Sequence, residues 1–333
     1  MTKKINFDYL INKIKLSEFE NIPFRHIYIE DFFTHEQFLQ IIKSDEIESP
    51  VAKSDYELIN GLIEKGFSPI EFPGCITDVK KYIDWHENNE KAEIFSTCEG
   101  FGMALRLFRI KTKVLNELNL FLASEKFNRA IAEKFNIDFN NCIVDGGIQK
   151  YLDGYEISPH PDIRKKAATF MVNINPHPDS EQMDHHTHYL KFKDTYSYVK
   201  NLWSSNKDFD RTWVPWSWTE SIKQQFKNNS IVLFSPSDDT MHAVKANYDH
   251  FKTQRTQLYG NLWYKTDFTK SMMDWKNLDY QNLIKLQKGN ESSRNLNFKS
   301  LKNKAVKLVP NFLKNKVNVP KKKSEFKVGE RNI

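Results

Sequence analysis

The stretch "SPHPDIRKKAATFMVNINP", Ser158 to Pro176, decides how the chain is read. Alternate residues of an extended strand share a face. Ser158, His160 and Asp162 therefore point one way, and Pro159 and Pro161 the other. Two prolines so close cannot both donate to a ladder, so the segment is a strand end or rim, where a site can meet solvent. The run "AATFMVNIN" then reads as a strand in its own right. Imidazole nitrogen beside carboxylate oxygen suits a borderline divalent metal.

A third ligand is available downstream. "SPSDDTMHAVKA" places His242 in another short strand after a polar turn. Two histidines and a carboxylate on one side of a metal form the facial triad of non-haem Fe(II) sites, with open positions opposite. His-x-Asp alone is common and is usually a surface or core pair; the distal histidine makes it more specific. Thirteen residues beyond His242 comes Arg255, in "TQRTQLYGNLWY". By period two it shares a face with Gln257, Tyr259 and Asn261. A guanidinium inside a sandwich is costly unless it meets an anion, and it grips a carboxylate with two parallel bonds that lysine cannot copy. The plain alternative is that Arg255 lies at the strand entrance and faces water. Lys245 is the other cation near His242.

"YLDGYEISPHPD", then His242, then Arg255, resembles the 2-oxoglutarate/Fe(II)-dependent oxygenases, and the "PHPD" setting is most similar to their prolyl-4-hydroxylase-like branch. The resemblance covers about residues 142 to 265, with a weaker echo in "IPFRHIYIEDFFTHEQF". It implies an α+β chain with a double-stranded β-helix (jelly-roll) core. It also implies Fe(II), 2-oxoglutarate and O2, with ascorbate as an optional accessory. His160, Asp162 and His242 would ligate iron, Arg255 would hold the distal carboxylate of 2-oxoglutarate, and Tyr151 would hydrogen-bond the same carboxylate. The implied reaction hydroxylates an unactivated C–H and releases succinate and CO2. Two features depart from the family. Gln257 stands where a serine often follows the basic residue, and the gap from Asp162 to His242 is long.

The rest of the chain fits around this core. "FRHIYIEDFFTHEQFLQIIKS" reads as a strand over 24–29, a turn, and a helix capped by Thr34 with Gln37 three residues on. Residues 54–66 and 111–136 carry helical periodicity. From Cys142 the texture changes to short β-branched or aromatic runs bounded by turn residues. Helices followed by many strands indicate α+β. Three regions are expected: 1–140 as a strand and helix support packed on the core, 141–268 as the jelly roll with an insert over 177–229, and 269–333 as a helix, a linker and a basic tail. The insert holds Trp203, Trp213, Trp216 and Trp218, read as a small core of its own or as a lid. His185, His186 and His188 are read as structural or rim residues, with contact to metal or substrate the sharper alternative. Lys165 and Lys166 read as a solvated turn, and Gly146–Gly147 as a bulge or strand start.

Of the net charge of +6, residues Glu291 to Ile333 carry +9 (twelve Lys or Arg, three Glu), leaving 6 − 9 = −3 on the rest. The basic character belongs to a tail, so no nucleic-acid face is expected. Over 298–317 the tail shows an apolar stripe flanked by lysines. That is the pattern of a helix lying on an anionic membrane surface; docking on the body or fraying are the plain alternatives. Cys75, Cys98 and Cys142 are widely spaced and form no disulfide framework, which favours a reducing compartment. No apolar h-region and no membrane span are legible, so the expectation is a cytoplasmic protein, peripheral to the inner face of a membrane if the tail binds one. The substrate class stays open among a peptidyl side chain, an amino acid, and a glycan or lipid intermediate. The competing reading is a catalytically silent jelly-roll module binding glycan or peptide; a zinc hydrolase lacks a placed general base.

Overall fold

The computed structural model describes residues 5–48, 51–71, 75–88, 102–206 and 212–266. The expected helix near 278–286 and the basic tail, with the stripe over 298–317, lie outside the described residues, as does Cys98. Cys75 and Cys142 are free thiols, and no described helix is long and apolar enough to cross a membrane.

The first part of the chain gives α1 (Tyr9–Leu16), β1 (Ile27–Ile29), α2 (His35–Ile42), α3 (Asp55–Glu64), β2 (Phe67–Pro69), α4 (Val79–Glu87), β3 (Ala104–Leu107), α5 (Lys113–Leu122) and α6 (Glu125–Lys134). Side-chain caps start α2 and α3, the first where the sequence places it. Thr34 accepts from the Gln37 N–H, and Ser54 does the same for Glu57. The periodic stretch 111–136 is two helices because Ser124 breaks it, capping α6 through the Phe127 N–H.

Eight strands follow: β4 (Cys142–Tyr151), β5 (Glu156–His160), β6 (Lys166–Asn173), β7 (Thr187–Phe192), then α7 (Tyr198–Ser205), and β8 (Thr219–Gln224), β9 (Ile231–Phe234), β10 (His242–Lys245) and β11 (Arg255–Tyr264). Their antiparallel pairings include β4 with β11, β5 with β10, β6 with β9 and β7 with β8. That is one long hairpin with its tip at β7–β8, wound over so that successive pairs fall in two sheets. The sheets run β1-β9-β6-β11-β4-β3-β2 and β5-β10-β7-β8. This is a jelly roll. The stretch 177–229, expected as an insert, therefore supplies two of the eight strands, and only the segment between them, with α7, is additional. The support region lends the major sheet three flanking strands, β1, β2 and β3. Gly146 and Gly147 sit inside a regular ladder with β11, with no bulge.

Period two sorts the major sheet into its environments. Leu258, Leu262, Ile148, Phe170 and Val172 join the helices in the largest core cluster. Met171, Val232, Phe234 and Tyr259 turn the other way and meet Tyr189 of the minor sheet. Tyr151 meets Ile157 and Val244 there. Between the sheets lies a cavity of about 620 Å³.

Candidate metal centre

His160 ends β5 and His242 begins β10, and the two are directly opposed across the ladder. Residues 82 positions apart in sequence are thus neighbours, because opposed side chains in antiparallel strands stand roughly 5 Å apart. Their ring centroids are 4.4 Å apart. Asp162 lies two residues past the end of β5, and its Oδ1 is 3.9 Å from the Nε2 of each histidine.

Each ring has a fixed tautomer. His160 Nδ1 is 2.8 Å from the Ser158 carbonyl, and His242 Nδ1 is 2.9 Å from the Thr240 carbonyl. A carbonyl can only accept, so Nδ1 carries the proton and Nε2 keeps its lone pair. Burial pulls His160 down to about 3 and lowers His242 as well, so both rings are neutral at ordinary pH. Asp162 Oδ2 accepts from the Thr169 hydroxyl at 2.7 Å. Oδ1, the oxygen facing both rings, accepts from Lys166 at 2.6 Å. Burial alone would raise this carboxyl, but the Lys166 ammonium outweighs it and keeps the carboxylate charged. Two neutral imidazole nitrogens and one carboxylate oxygen, all pointing at the same space, fit a divalent metal.

Lys166 is not the solvated turn residue that the sequence suggested. It opens β6, its side chain is 9% exposed, and its Nζ also donates to the Tyr259 hydroxyl at 2.8 Å. Lys165 beside it does lie in the turn that precedes β6, and it is half-buried.

Arg255 begins β11 opposite Tyr151, lines the cavity and is 2% exposed. Its Nη2 donates to the Thr187 hydroxyl at 2.8 Å, and its guanidinium lies 4.7 Å from the centre of the Tyr151 ring. Among the described residues no carboxylate is within ion-pair reach of it. Lys245 points outward, 57% exposed and 3.8 Å from Glu156. The Tyr151 hydroxyl bonds the Gln149 amide, which in its better-satisfied orientation accepts from Arg106 Nε and Nη2. Arg106 lies across Gly147, where a β-carbon would stand 3.3 Å from its Cδ, and reaches Asp145 at 3.1 Å. In its better-satisfied orientation the Gln149 amide N–H donates to the Tyr151 hydroxyl, which lines the cavity beside the arginine and keeps its own proton to donate. Gln257 lines the same cavity and donates to Asn173.

The remaining histidines and tryptophans sort differently. His185 and His186 are buried near Arg255 but do not line the cavity, and burial pulls them down to about 2 and about 4. His188 faces outward to Ser221 and the edge of Trp216. Trp213 lines the cavity. Trp203 packs under Arg164, Trp218 stacks on Tyr196, and Trp216 donates to Glu156.

A second trio of the same residue types went unread in the sequence. Asp55, His86 and His250 also converge, together with Asp153. Their distances differ in kind: His86 Nδ1 is 2.7 Å from Asp55 and its Nε2 is 3.1 Å from Asp153. These are hydrogen-bond lengths, and the ring is clamped between two carboxylates. His250 Nδ1 accepts from the Asp153 N–H, so its Nε2 carries a proton. That nitrogen stands 3.0 Å from Asp55 Oδ1, off-line for a linear bond, and has no lone pair to give a metal. Burial alone would lower His86; the bonds to Asp153 and Asp55 override it and push the ring up to about 9. This cluster is a buried charge network held by protons. No short spacing marks it, since its members are scattered from 55 to 250.

No family model matches the sequence, and no curated protein matches it. Among solved structures the chain is similar to a prolyl-4-hydroxylase of Pseudomonas putida, at 8% identity over 78% of this chain and 98% of that one, with a TM-score of 0.39. It is similar also to a Trichoplax adhaerens prolyl hydroxylase solved with a hypoxia-inducible-factor peptide, at 10% identity over 80% and 93%, TM-score 0.38. A Burkholderia pseudomallei oxidoreductase of the 2OG-Fe(II) oxygenase family follows, at 8% over 64% and 92%, TM-score 0.28. At these values the likeness decides nothing; the strand pairing establishes the jelly roll.

Proposed function

We propose that the chain is an Fe(II)- and 2-oxoglutarate-dependent oxygenase that hydroxylates an unactivated C–H bond, with succinate and CO2 as co-products. One observation carries the reading. Two lone-pair-bearing imidazole nitrogens lie 3.9 Å from one carboxylate oxygen, in a cavity that also holds a buried arginine. His160, Asp162 and His242 would hold iron, which supplies the oxygen chemistry with the 2-oxo acid. The chain's own work is binding, orientation and exclusion of water. Arg255 is buried with a hydroxyl and a ring for company, so an anion would complete it. Its planar fork suits the distal carboxylate of 2-oxoglutarate. The Tyr151 ring lies against the guanidinium, and Tyr155, Ile157 and Val244 line the cavity beside it.

Charge narrows the substrate class. Among the described lining residues Arg106, Lys166 and Arg255 balance Glu71, Asp145 and Asp162, 3 − 3 = 0. A divalent metal and a dianionic oxo acid add nothing net. A neutral or zwitterionic substrate group, such as a peptidyl side chain, an amino acid or a sugar, therefore fits better than a polyanion. Fe(II) and 2-oxoglutarate added without oxygen should give a visible charge-transfer band, and air with the right substrate should release succinate. His242→Ala should lose the band while keeping its far-ultraviolet dichroism. A wild-type protein with no band would sink the proposal.

A further inference from the structure

We propose that Lys166 weakens the hold of the His160–Asp162–His242 site on its divalent cation by keeping a fixed positive charge on the ligand oxygen. This rests on the oxygenase reading only in taking those three residues as metal ligands. The two oxygens of Asp162 have separate duties. Oδ2 is taken by Thr169, while Oδ1 faces both histidines and carries Lys166 at 2.6 Å. The ammonium cannot easily move off. The Tyr259 hydroxyl holds it at 2.8 Å, and the Tyr259 and Trp263 rings each lie 5.5 Å from it. With metal–ligand bonds of roughly 2 Å, a cation bound at Oδ1 would stand within about 5 Å of this ammonium. Even strongly screened, repulsion at that distance lowers affinity about ten-fold. The hydrogen bond also takes lone-pair density from the oxygen that ligates.

The opposing view is that Lys166 is only the counter-ion that keeps Asp162 buried and aimed. The two views differ in sign. If Lys166 merely aims the carboxylate, its removal loosens metal binding; if it repels the metal, removal tightens it.

The test is a titration of the full chain, stripped with chelator, with Co2+ alone, followed by its visible absorption. Lys166→Met should bind Co2+ about ten-fold more tightly than wild type, and Lys166→Arg, which keeps the charge, should bind as wild type does. Lys166→Gln, which retains polar contacts, serves if the methionine variant does not fold, and should also bind more tightly. Equal or weaker binding in the folded neutral variants would overturn the proposal. His242→Ala separates the two readings. If wild-type protein shows no Co2+ binding that this change removes, the metal site itself is refuted; if it does, only the role of Lys166 is at stake.

Discussion

At Arg255 the difference between charge and geometry can be measured. Lysine would keep the charge but lose the second parallel bond to a carboxylate and change the guanidinium's contact with the Tyr151 ring. A charge-assisted bond contributes roughly 1.5–3 kcal/mol. Arg255→Lys should therefore raise the 2-oxoglutarate concentration needed to develop the band about ten- to one-hundred-fold, with Co2+ binding unchanged. An unaltered titration would mean the oxo acid is held elsewhere. At this scale the sequence was informative where strand alternation acts, as in His160 with Asp162 and Arg255 with Gln257. It was silent on Lys166, since Lys165 and Lys166 look alike until it is known which residue opens the strand. It was silent too on the partners of His86, which come from different elements.

At the scale of elements, caps and pairing set the frame. Thr34 holds the start of α2 through the Gln37 N–H. Thr34→Ala should lower stability by about 1 kcal/mol, read as a shift in urea midpoint with metal binding unaffected. β6 and β9 were legible because they are buried on both faces and read as apolar runs. β8, "TESIKQ", is mostly exposed or half-buried, and β7 mixes polar and apolar residues. Both fall at the hairpin tip in the minor sheet, so they lacked the signal that marked the others, and the tip was taken for an insertion.

Across the whole molecule the buried cluster ties separate parts together. Asp55 heads α3, His86 lies in the last turn of α4, Asp153 follows β4 and His250 precedes β11. Asp153 also receives the Tyr248 N–H, and the Tyr248 hydroxyl accepts from the Arg255 N–H, so the helices brace the arginine end of the cavity. The folded protein holds the His86 proton up to about 9, against roughly 6.5 when unfolded. A raised value means the contribution is complete below about pH 6.5 and is lost as pH rises through about 9. On the order of 3 kcal/mol should disappear between pH 6 and pH 10. Urea midpoints for wild type and His86→Gln should converge across that range; parallel curves would show that the ring is not the proton carrier. The sheet order has a consequence for biosynthesis. β11 is the last described strand, yet it lies between β6 and β4 near the middle of the major sheet. A ribosome that has released residues up to 254 has delivered seven strands of the jelly roll and both outer plies of a gap. Until the eighth is threaded in, the nascent chain carries two unpaired inner edges, a window in which chaperone capture or mispairing competes with completion.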